Sequence, residues 1–271
     1  TLTPNAATTA ATNAITVNLA TLTDLPGNAG SGTFSSGNYA IDTAAPALAS
    51  AMTLTDNRLK IGDTSTVTFT FTEAVLGFTT ADVTAENAVL SGLSSANGGI
   101  TWTATLTPNA GVTDNTNVLT LNLAGVSDLA GNAGVGNALS PNYQVDTERP
   151  TVVSFVVTDT NLLAGETSLV TIVYSETVSG FTNADLIIES GTLSGVTSSD
   201  GGVTWTATLT PSASVNDPTN VITIDLTGII DMNSNAGTGT STSNNYAVNT
   251  ARPTATTAGA HPLRGPADPA L

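Results

Sequence analysis

Acidic residues recur at matching positions along this chain, and they are the side chains with the clearest capacity for chemistry. Five pairs share a repeat position: Asp42 and Asp146, Asp56 and Asp159, Glu73 and Glu176, Asp82 and Asp185, Asp128 and Asp231. Two carboxylates about 4 Å apart repel by ~4 kcal/mol at an effective dielectric of ~20. A cluster of three or four therefore needs a cation or raised pKa values. Without cysteine, and with a single histidine at His261, the ligands would be oxygen atoms, which suit Ca²⁺ better than zinc.

The positions of these acids follow from a repeat that can be counted from landmarks. Tyr39, Tyr143 and Tyr246 are spaced by 104 and 103 residues, and the tetrapeptide Thr-Leu-Thr-Pro at residues 1, 105 and 208 keeps the same spacing. A period near 100 indicates an array of whole domains. The predicted organisation is the C-terminal part of a repeat (1–43), two complete repeats (44–147 and 148–250) and a disordered tail (251–271).

The most informative stretch within each repeat spans residues 98–108, and it returns at 201–211. Apolar and polar residues alternate strictly there, which is the period of a half-buried strand. The two tryptophans, Trp102 and Trp205, occupy equivalent positions. This pattern predicts a central strand packed around the indole, with the inward face formed by Ile100, Trp102, Ala104 and Leu106.

Other segments show the same alternation and indicate an all-β fold. The predicted inward residues of two further strands are Val67, Phe69, Phe71, Leu119, Leu121 and Leu123, matched in the next repeat by Val170, Ile172, Tyr174, Ile222, Ile224 and Leu226. Asn97-Gly98 and Asp200-Gly201 are hairpin signals because both turn positions tolerate positive φ. About seven short strands per hundred residues predict tandem immunoglobulin-like β-sandwiches of about 100 residues each.

This topology predicts where the acids meet. In such a sandwich the start of the first strand, the B–C loop and the F–G loop emerge at one end. The predicted metal ligands are therefore Asp42, Glu73, Asp82, Asp128 and Asn132 at one junction, and Asp146, Glu176, Asp185, Asp231 and Asn235 at the next. The alternative is that these residues are solvated loop acids, Asx-turn formers and caps. The sequence leaves both interpretations open.

Composition excludes several classes of function. Five basic residues against 21 acidic ones give a formal net charge of −16, which disfavours nucleic acid and anionic membranes as partners. No run of about 18 apolar residues predicts a membrane span. An enzyme is not predicted. His261 lies in the predicted tail, and the carboxylates recur in every unit, which is expected of a domain junction copied along the chain and not of a single active site. Phe78 and Phe181 are interpreted as loop anchors packed on the sandwich in preference to ligand platforms.

Several motifs in order carry a family resemblance over residues 1–250. They are Val-Asp-Thr-x-x-Pro, Phe-Thr-Glu or Tyr-Ser-Glu, Gly-Phe-Thr-x-Ala-Asp, Gly-Gly-x-Thr-Trp-Thr-Ala-Thr-Leu-Thr-Pro and Asp-x-Ala-Gly-Asn-Ala-Gly. The chain thus resembles the bacterial Ig-like repeats of giant secreted surface adhesins of the biofilm-associated and repeats-in-toxin types. The resemblance implies tandem stacking, secretion to the bacterial cell surface and calcium at domain junctions. Residues 231–235 (Asp-Met-Asn-Ser-Asn) and Asn249 depart from that pattern.

The functional prediction is a structural stalk module of a cell-surface adhesin. Its partners would be adjacent repeats of the same chain, and the linkers at 42–46 and 146–150 are short and stiffened by proline, so a rod with restricted joints is expected. Segment 1–43 is expected to be frayed or completed by other residues. Two alternatives stay open: a module that binds carbohydrate or a host protein, and a subunit of a surface lattice or filament.

Overall fold

The computed structural model describes residues 1–254, which fall into two compact units, Thr1–Glu148 and the part of the chain from Arg149 onward. Both consist of short β-strands joined by loops, with three single-turn 3-10 helices in the first unit and one among the described residues of the second. The predicted all-β class is confirmed. No helix among the described residues is long and apolar enough to cross a membrane. Most of the predicted tail, including His261, lies outside the described residues.

The first segment forms two small antiparallel pairs, β1 with β4 and β2 with β3. Its strands are β1 (Thr9–Asn13), β2 (Thr16–Asn18), β3 (Thr33–Ser35) and β4 (Tyr39–Asp42). Val17 and Phe34 stay exposed, whereas Leu121, which is equivalent to Val17, is fully buried in the next repeat. The first segment thus lacks an opposing sheet, and its completion by other residues stays a prediction.

The following repeat is a two-layer sandwich. Its strands are β5 (Thr53–Leu54), β6 (Arg58–Lys60), β7 (Ser65–Thr70), β8 (Val75–Leu76), β9 (Val83–Ala85), β10 (Ala88–Ser95), β11 (Thr101–Pro108), β12 (Thr113–Asn117), β13 (Leu119–Asn122), β14 (Ser127–Asp128), β15 (Asn137–Leu139) and β16 (Tyr143–Asp146). One sheet has the antiparallel order β10-β11-β7-β5. The other layer contains β15-β13-β9 and β12-β16-β6, and a short pair β14-β8 lies apart from both. Strand β6 runs parallel to β16.

The tryptophan strand is central, as predicted, because β11 lies between β10 and β7. Ala104 and Leu106 are buried, and Trp102 is partly buried with its indole Nε1–H donating to the carbonyl of Gly99 at 2.9 Å. The prediction that Ile100 faces the core is wrong, since its side chain is 42% exposed. Ile100 lies in the turn before β11, where the chain has not yet entered the pleat that alternates side chains between the two faces.

The inward faces of β7 and of the segment through β13 are confirmed. Val67, Phe69, Phe71, Leu119, Leu121 and Leu123 are all buried in one cluster. Phe78 lies at the centre of the aromatic part of this core and makes edge-to-face contacts with Phe69, Phe71 and Trp102, at centroid distances of 5.1, 5.3 and 5.4 Å. Such pairs contribute ~0.5–1.5 kcal/mol each beyond area burial. Phe78 is therefore a loop anchor, as predicted.

The second unit repeats this architecture. Its strands are β17 (Val152–Val157), β18 (Asn161–Leu163), β19 (Ser168–Tyr174), β20 (Leu186–Ile188), β21 (Gly191–Leu193), β22 (Thr197–Ser198), β23 (Thr204–Pro211), β24 (Asn216–Asn220), β25 (Ile222–Asp225), β26 (Thr240–Thr242) and β27 (Tyr246–Asn249). Strand β23, which carries Trp205, again lies in the middle of its sheet. Every predicted inward residue of β19 and of the segment through β25 is buried.

The two units differ at one core position that is polar only in the second. Tyr174 occupies the place of Phe71, and its hydroxyl is buried without a hydrogen-bond partner among the described residues. Burial raises the pKa of Tyr174, and the charge of Asp185 raises it further, so the hydroxyl stays neutral. A buried hydroxyl without a partner costs ~1–3 kcal/mol of desolvation.

We therefore predict that Tyr174→Phe raises the free energy of unfolding of the second unit by about 1 kcal/mol. The ring contact with Phe181, at a centroid distance of 5.7 Å, is retained in this variant. The reverse change, Phe71→Tyr, should destabilise the first unit. Amide hydrogen exchange of β19 and β7 reports the two units separately. An equal or lower stability for Tyr174→Phe would show that the hydroxyl has a partner.

Candidate metal centre

Three carboxylates converge in the first unit. Oxygen atoms of Asp42, Glu73 and Asp128 all lie within 4.8 Å of one another. Asp128 is buried, at 1% exposure, and the other two side chains are partly buried. The positions of these three acids on separate segments of the chain show that the fold itself collects them.

The pairing of β8 with β14 brings Glu73 to Asp128. Asp128 is the last residue of β14 and lies opposite Val75, two residues after Glu73. The loop that carries Glu73 is fixed from its other side as well, because the amide of Thr72 donates to the carbonyl of Ala47 at 2.8 Å. The backbone at Glu73 is therefore held beside Asp128.

Asp42 arrives from the preceding segment, at the end of β4. Its Oδ1 accepts a hydrogen bond from the hydroxyl of Thr9 at 2.9 Å, and its backbone carbonyl accepts one from Asn132 Nδ2 at 3.2 Å. The second of these bonds links the chain around β4 to the loop after β14. Asp42 is thus held to Asp128 through Asn132.

Asp128 is locked into its own loop by the amide groups that follow it. Asn132 donates its backbone N–H to Oδ1 at 2.8 Å and its side-chain Nδ2–H to Oδ2 at 2.7 Å. Burial acts to raise the pKa of Asp128, but the hydrogen bonds from the side chain and backbone of Asn132, with those from the amides of Ala130 and Gly131, leave it below its usual value. Asp128 is therefore ionised at neutral pH.

Glu73 experiences the opposite balance. Burial raises the pKa of the Glu73 carboxyl, and the charges of Asp128 and Asp42 raise it further. The cluster is therefore a site of concentrated negative charge built from oxygen donors, a donor set that fits a hard divalent ion.

Asn132 was predicted as a ligand through its side-chain carbonyl. In the structure its amide nitrogen points toward the acids, with hydrogen bonds to Asp128 Oδ2 and to the Asp42 carbonyl. In this orientation Asn132 positions two of the acids. Asn235 makes the equivalent bonds to Asp231, at 2.8 Å from both its backbone and side-chain nitrogens.

Asp82 and Asp185, also predicted as ligands, are helix-capping residues in the structure. Asp82 Oδ2 accepts hydrogen bonds from the backbone N–H and the hydroxyl of Thr79, at 2.8 and 2.9 Å, in a capping box. Asp185 makes the same pair of bonds with Thr182. Neither is part of the three-carboxylate cluster of the first unit. The capping interpretation that the sequence left open explains both residues.

The remaining predicted ligands belong to the next repeat boundary along the chain. Asp146 ends β16 in the first unit, and its Oδ1 accepts a hydrogen bond from the hydroxyl of Thr113 at 3.0 Å. In the second unit Glu176 is partly buried and Asp231 is 2% exposed. The Asp231 loop keeps the hydrogen bonds of the Asp128 loop although Ser234, at φ +69°, replaces the glycine found at residue 131.

The comparison with protein families agrees with this architecture. The model of the bacterial Ig-like domain matches residues 1–41, 42–145 and 146–248. The chain belongs to the bacterial Ig-like domain family. No curated protein matches it. Among solved structures, the tandem Ig repeats of Dlar are similar over 75% of this chain and 96% of that chain, at 10% sequence identity and a TM-score of 0.23.

Bacterial Ig-like domains are typically non-catalytic. They are often exposed on the cell surface. The predicted Ig-like repeats are confirmed at the level of the family.

One positioning residue of this bacterial Ig-like repeat was missed from the sequence. Gly99, at φ +97°, lets the hairpin before β11 lie directly against β8, and its carbonyl accepts a hydrogen bond from the amide of Val75 at 3.1 Å. A Cβ on Gly99 would lie 2.7 Å from the carbonyl oxygen of Val75. The doubled glycine at 98–99 was the available signal, but the turn alone explained it.

We predict that Gly99→Ala displaces β8 whereas Gly98→Ala does not. Both glycines have positive φ, which costs an L-residue ~1–2 kcal/mol, but a Cβ on Gly98 meets no atom within 4 Å. Gly98→Ala is therefore the matched control for backbone strain. The amide of Val75 should exchange with solvent much faster in Gly99→Ala than in Gly98→Ala. Equal exchange rates would show that the close approach to Val75 is not required.

Proposed function

We propose that this chain is a spacer segment of a bacterial cell-surface adhesin, and that calcium stiffens its junctions. The observation that carries the proposal is the cluster of Asp42, Glu73 and Asp128. Asp42 belongs to the end of one predicted repeat, and the other two acids belong to the next. An ion bound by all three ties the two repeats together.

The chemistry of the cluster supports Ca²⁺ over other ions. The donors are carboxylate oxygens on loops and short strands, and Ca²⁺ accepts such oxygens in flexible geometry at 2.3–2.6 Å. Zinc sites use nitrogen or sulfur donors, and the described residues contain neither histidine nor cysteine. With the ion bound the acids attract a common centre. Without it they repel one another and the joint loosens.

Repetition of the sequence extends the proposal to the next junction. Asp146, Glu176 and Asp231 follow the three acids of the first cluster by 104, 103 and 103 residues. Asp231 is held by the same asparagine bonds as Asp128. We propose the same ion and the same role for that set.

The distribution of aromatic side chains favours a spacer over a carbohydrate-binding module. Stacking on sugars needs exposed aromatic rings, but Trp102 and Trp205 pack against the two cores, and Tyr143, Tyr174 and Tyr246 are buried. Phe34, at 67% exposure, lies in the first segment on the face that the equivalent strands of the next repeat bury. The contacts we propose for this segment are with neighbouring repeats, on the outer surface of a bacterium.

Calcium should raise the melting temperature of the chain through Asp128. At a calcium concentration 100-fold above Kd, binding adds ~2.7 kcal/mol to stability. We predict that Asp128→Asn abolishes most of this response at the first junction. Asp24→Asn is the matched control, because Asp24 makes the same hydrogen bonds with Asn28, at 2.8 and 3.0 Å, outside any cluster of three acids in residues 1–254.

Thermal melting and small-angle scattering, each with chelator and with added Ca²⁺, measure stability and flexibility. The proposal expects a higher melting temperature and a narrower distribution of end-to-end distances with calcium, in the wild type and in Asp24→Asn. Curves for the wild type that do not respond to chelator or calcium would remove the mechanism.

Glu73→Gln should have opposite effects in the two conditions. In chelator the variant should be at least as stable as the wild type, because it removes the charge that Asp42 and Asp128 repel. In calcium it should be less stable than the wild type, because a ligand is lost. Melting temperatures in both buffers test this crossover. A variant less stable than the wild type in chelator would indicate a structural role for Glu73 instead.

A further inference from the structure

A buried acceptor distinguishes the second unit from the first. Asn220 is 1% exposed, and its Oδ1 has no hydrogen-bond partner among the described residues. Its Nδ2 is fully used, donating to the carbonyls of Asp217 and Tyr246 at 3.0 and 3.1 Å. The side chain is therefore fixed in orientation, with its oxygen pointing away from these two carbonyls.

In the first unit, the equivalent oxygen has a hydrogen-bond donor. The equivalent residue, Asn117, makes the same two Nδ2 bonds, and its Oδ1 accepts a hydrogen bond from Asn87 Nδ2 at 2.7 Å. Asn87 Nδ2 also donates to Asp114 Oδ2 at 3.0 Å. One NH₂ group thus uses both of its protons to join a carboxylate to a buried amide oxygen.

The second unit has lost this group through a single difference. Ser190 stands in the place of Asn87, with nearly the same backbone, at φ +52° against +51°. Asp217 Oδ1 accepts a hydrogen bond from the amide of Thr219 at 3.0 Å, as Asp114 Oδ1 does from Thr116. The two acceptor oxygens, Asp217 Oδ2 and Asn220 Oδ1, are therefore retained without the double donor that joins their counterparts.

We propose that the second unit binds one internal water molecule between Asp217 Oδ2, Asn220 Oδ1 and Ser190 Oγ. A water molecule donates two hydrogen bonds, as the Asn87 amide does, and it can accept a third from the serine hydroxyl. Three hydrogen bonds are typical of a buried water, which occupies ~30 Å³. The amide group that serine lacks is of comparable size. The site is thus a binding site for water that is specific to this repeat.

The choice of water over a cation follows from charge. Only one of the three oxygen atoms around this site belongs to a carboxylate, whereas the calcium cluster proposed for the first unit contains three carboxylates. A buried monovalent or divalent ion would be poorly compensated by one carboxylate and two neutral oxygens. Water satisfies the orphaned oxygen without introducing a charge.

Ser190→Asn should displace the water and supply the missing donor. With the full chain in excess chelator, so that junction ions play no part, we expect the melting temperature of the second unit to rise by about 4 °C, because the amide replaces the hydrogen bonds of the water and releases an immobilised molecule. Ser190→Asp is the control, because aspartate also tolerates positive φ but carries no donor and places a second charge beside Asp217. It should give no rise.

Nuclear Overhauser contacts to water, together with a crystal structure, locate the molecule itself. The Asn220 side-chain amide should show a contact with long-lived water in the wild type that Ser190→Asn removes. The Asn117 amide should show none until Asn87→Ser creates the same site in the first unit. Absence of such a contact at Asn220 would overturn the proposal. A melting temperature for the second unit that rises with Na⁺ or Ca²⁺, and loses that response in Ser190→Asn, would replace the water by a cation.

Discussion

The crowding of like charges between two short strands is the constraint around which the junction is built. Asp42, Glu73 and Asp128 lie within 4.8 Å of one another, and each is held there by backbone pairing or asparagine bonds that do not depend on its charge. Asn132 keeps Asp128 ionised, and the pKa of Glu73 is raised, first by burial and then by the charges of Asp128 and Asp42. The fold thus fixes the position of the charges, and the calcium ion that we propose would compensate them.

The rigidity of that position comes from the core. Phe78 joins β7 to Trp102 through its edge-to-face contacts, and Trp102 bonds the carbonyl of Gly99. Gly99 in turn bonds the amide of Val75, which pairs with Asp128. A continuous series of contacts therefore runs from the centre of the sandwich to the acids. Displacing β8 would cost core packing, so the electrostatic strain cannot be relieved by moving the strand that follows Glu73.

Periodicity predicted the fold well because each strand has one buried face, and a period of two fixes which side chains occupy it. It failed at Ile100, where the alternation continues into a turn. Repetition predicted the three clustered acids, because a junction copied along the chain repeats its charges. Repetition could not separate Asp82 from them, since a capping residue is copied as faithfully as a ligand. The amide orientation of Asn132 and the role of Gly99 depend on contacts across loops that no local pattern encodes.

The two complete repeats have nearly the same backbone, so residues that differ at equivalent positions can be compared as if they were substitutions in one domain. Tyr174 replaces Phe71 and adds a buried hydroxyl without a partner among the described residues. Ser190 replaces Asn87 and removes a hydrogen-bond donor. Ser234 replaces Gly131 and adopts a positive φ that is strained for serine. The asparagine bonds to Asp231 are nevertheless the same as those to Asp128. Unpaired buried polar groups and strained backbone angles lower the stability of a domain without moving its loops. The spacer role that we propose requires each repeat to hold the geometry of its junction, and it is compatible with losses in the core as long as that geometry remains.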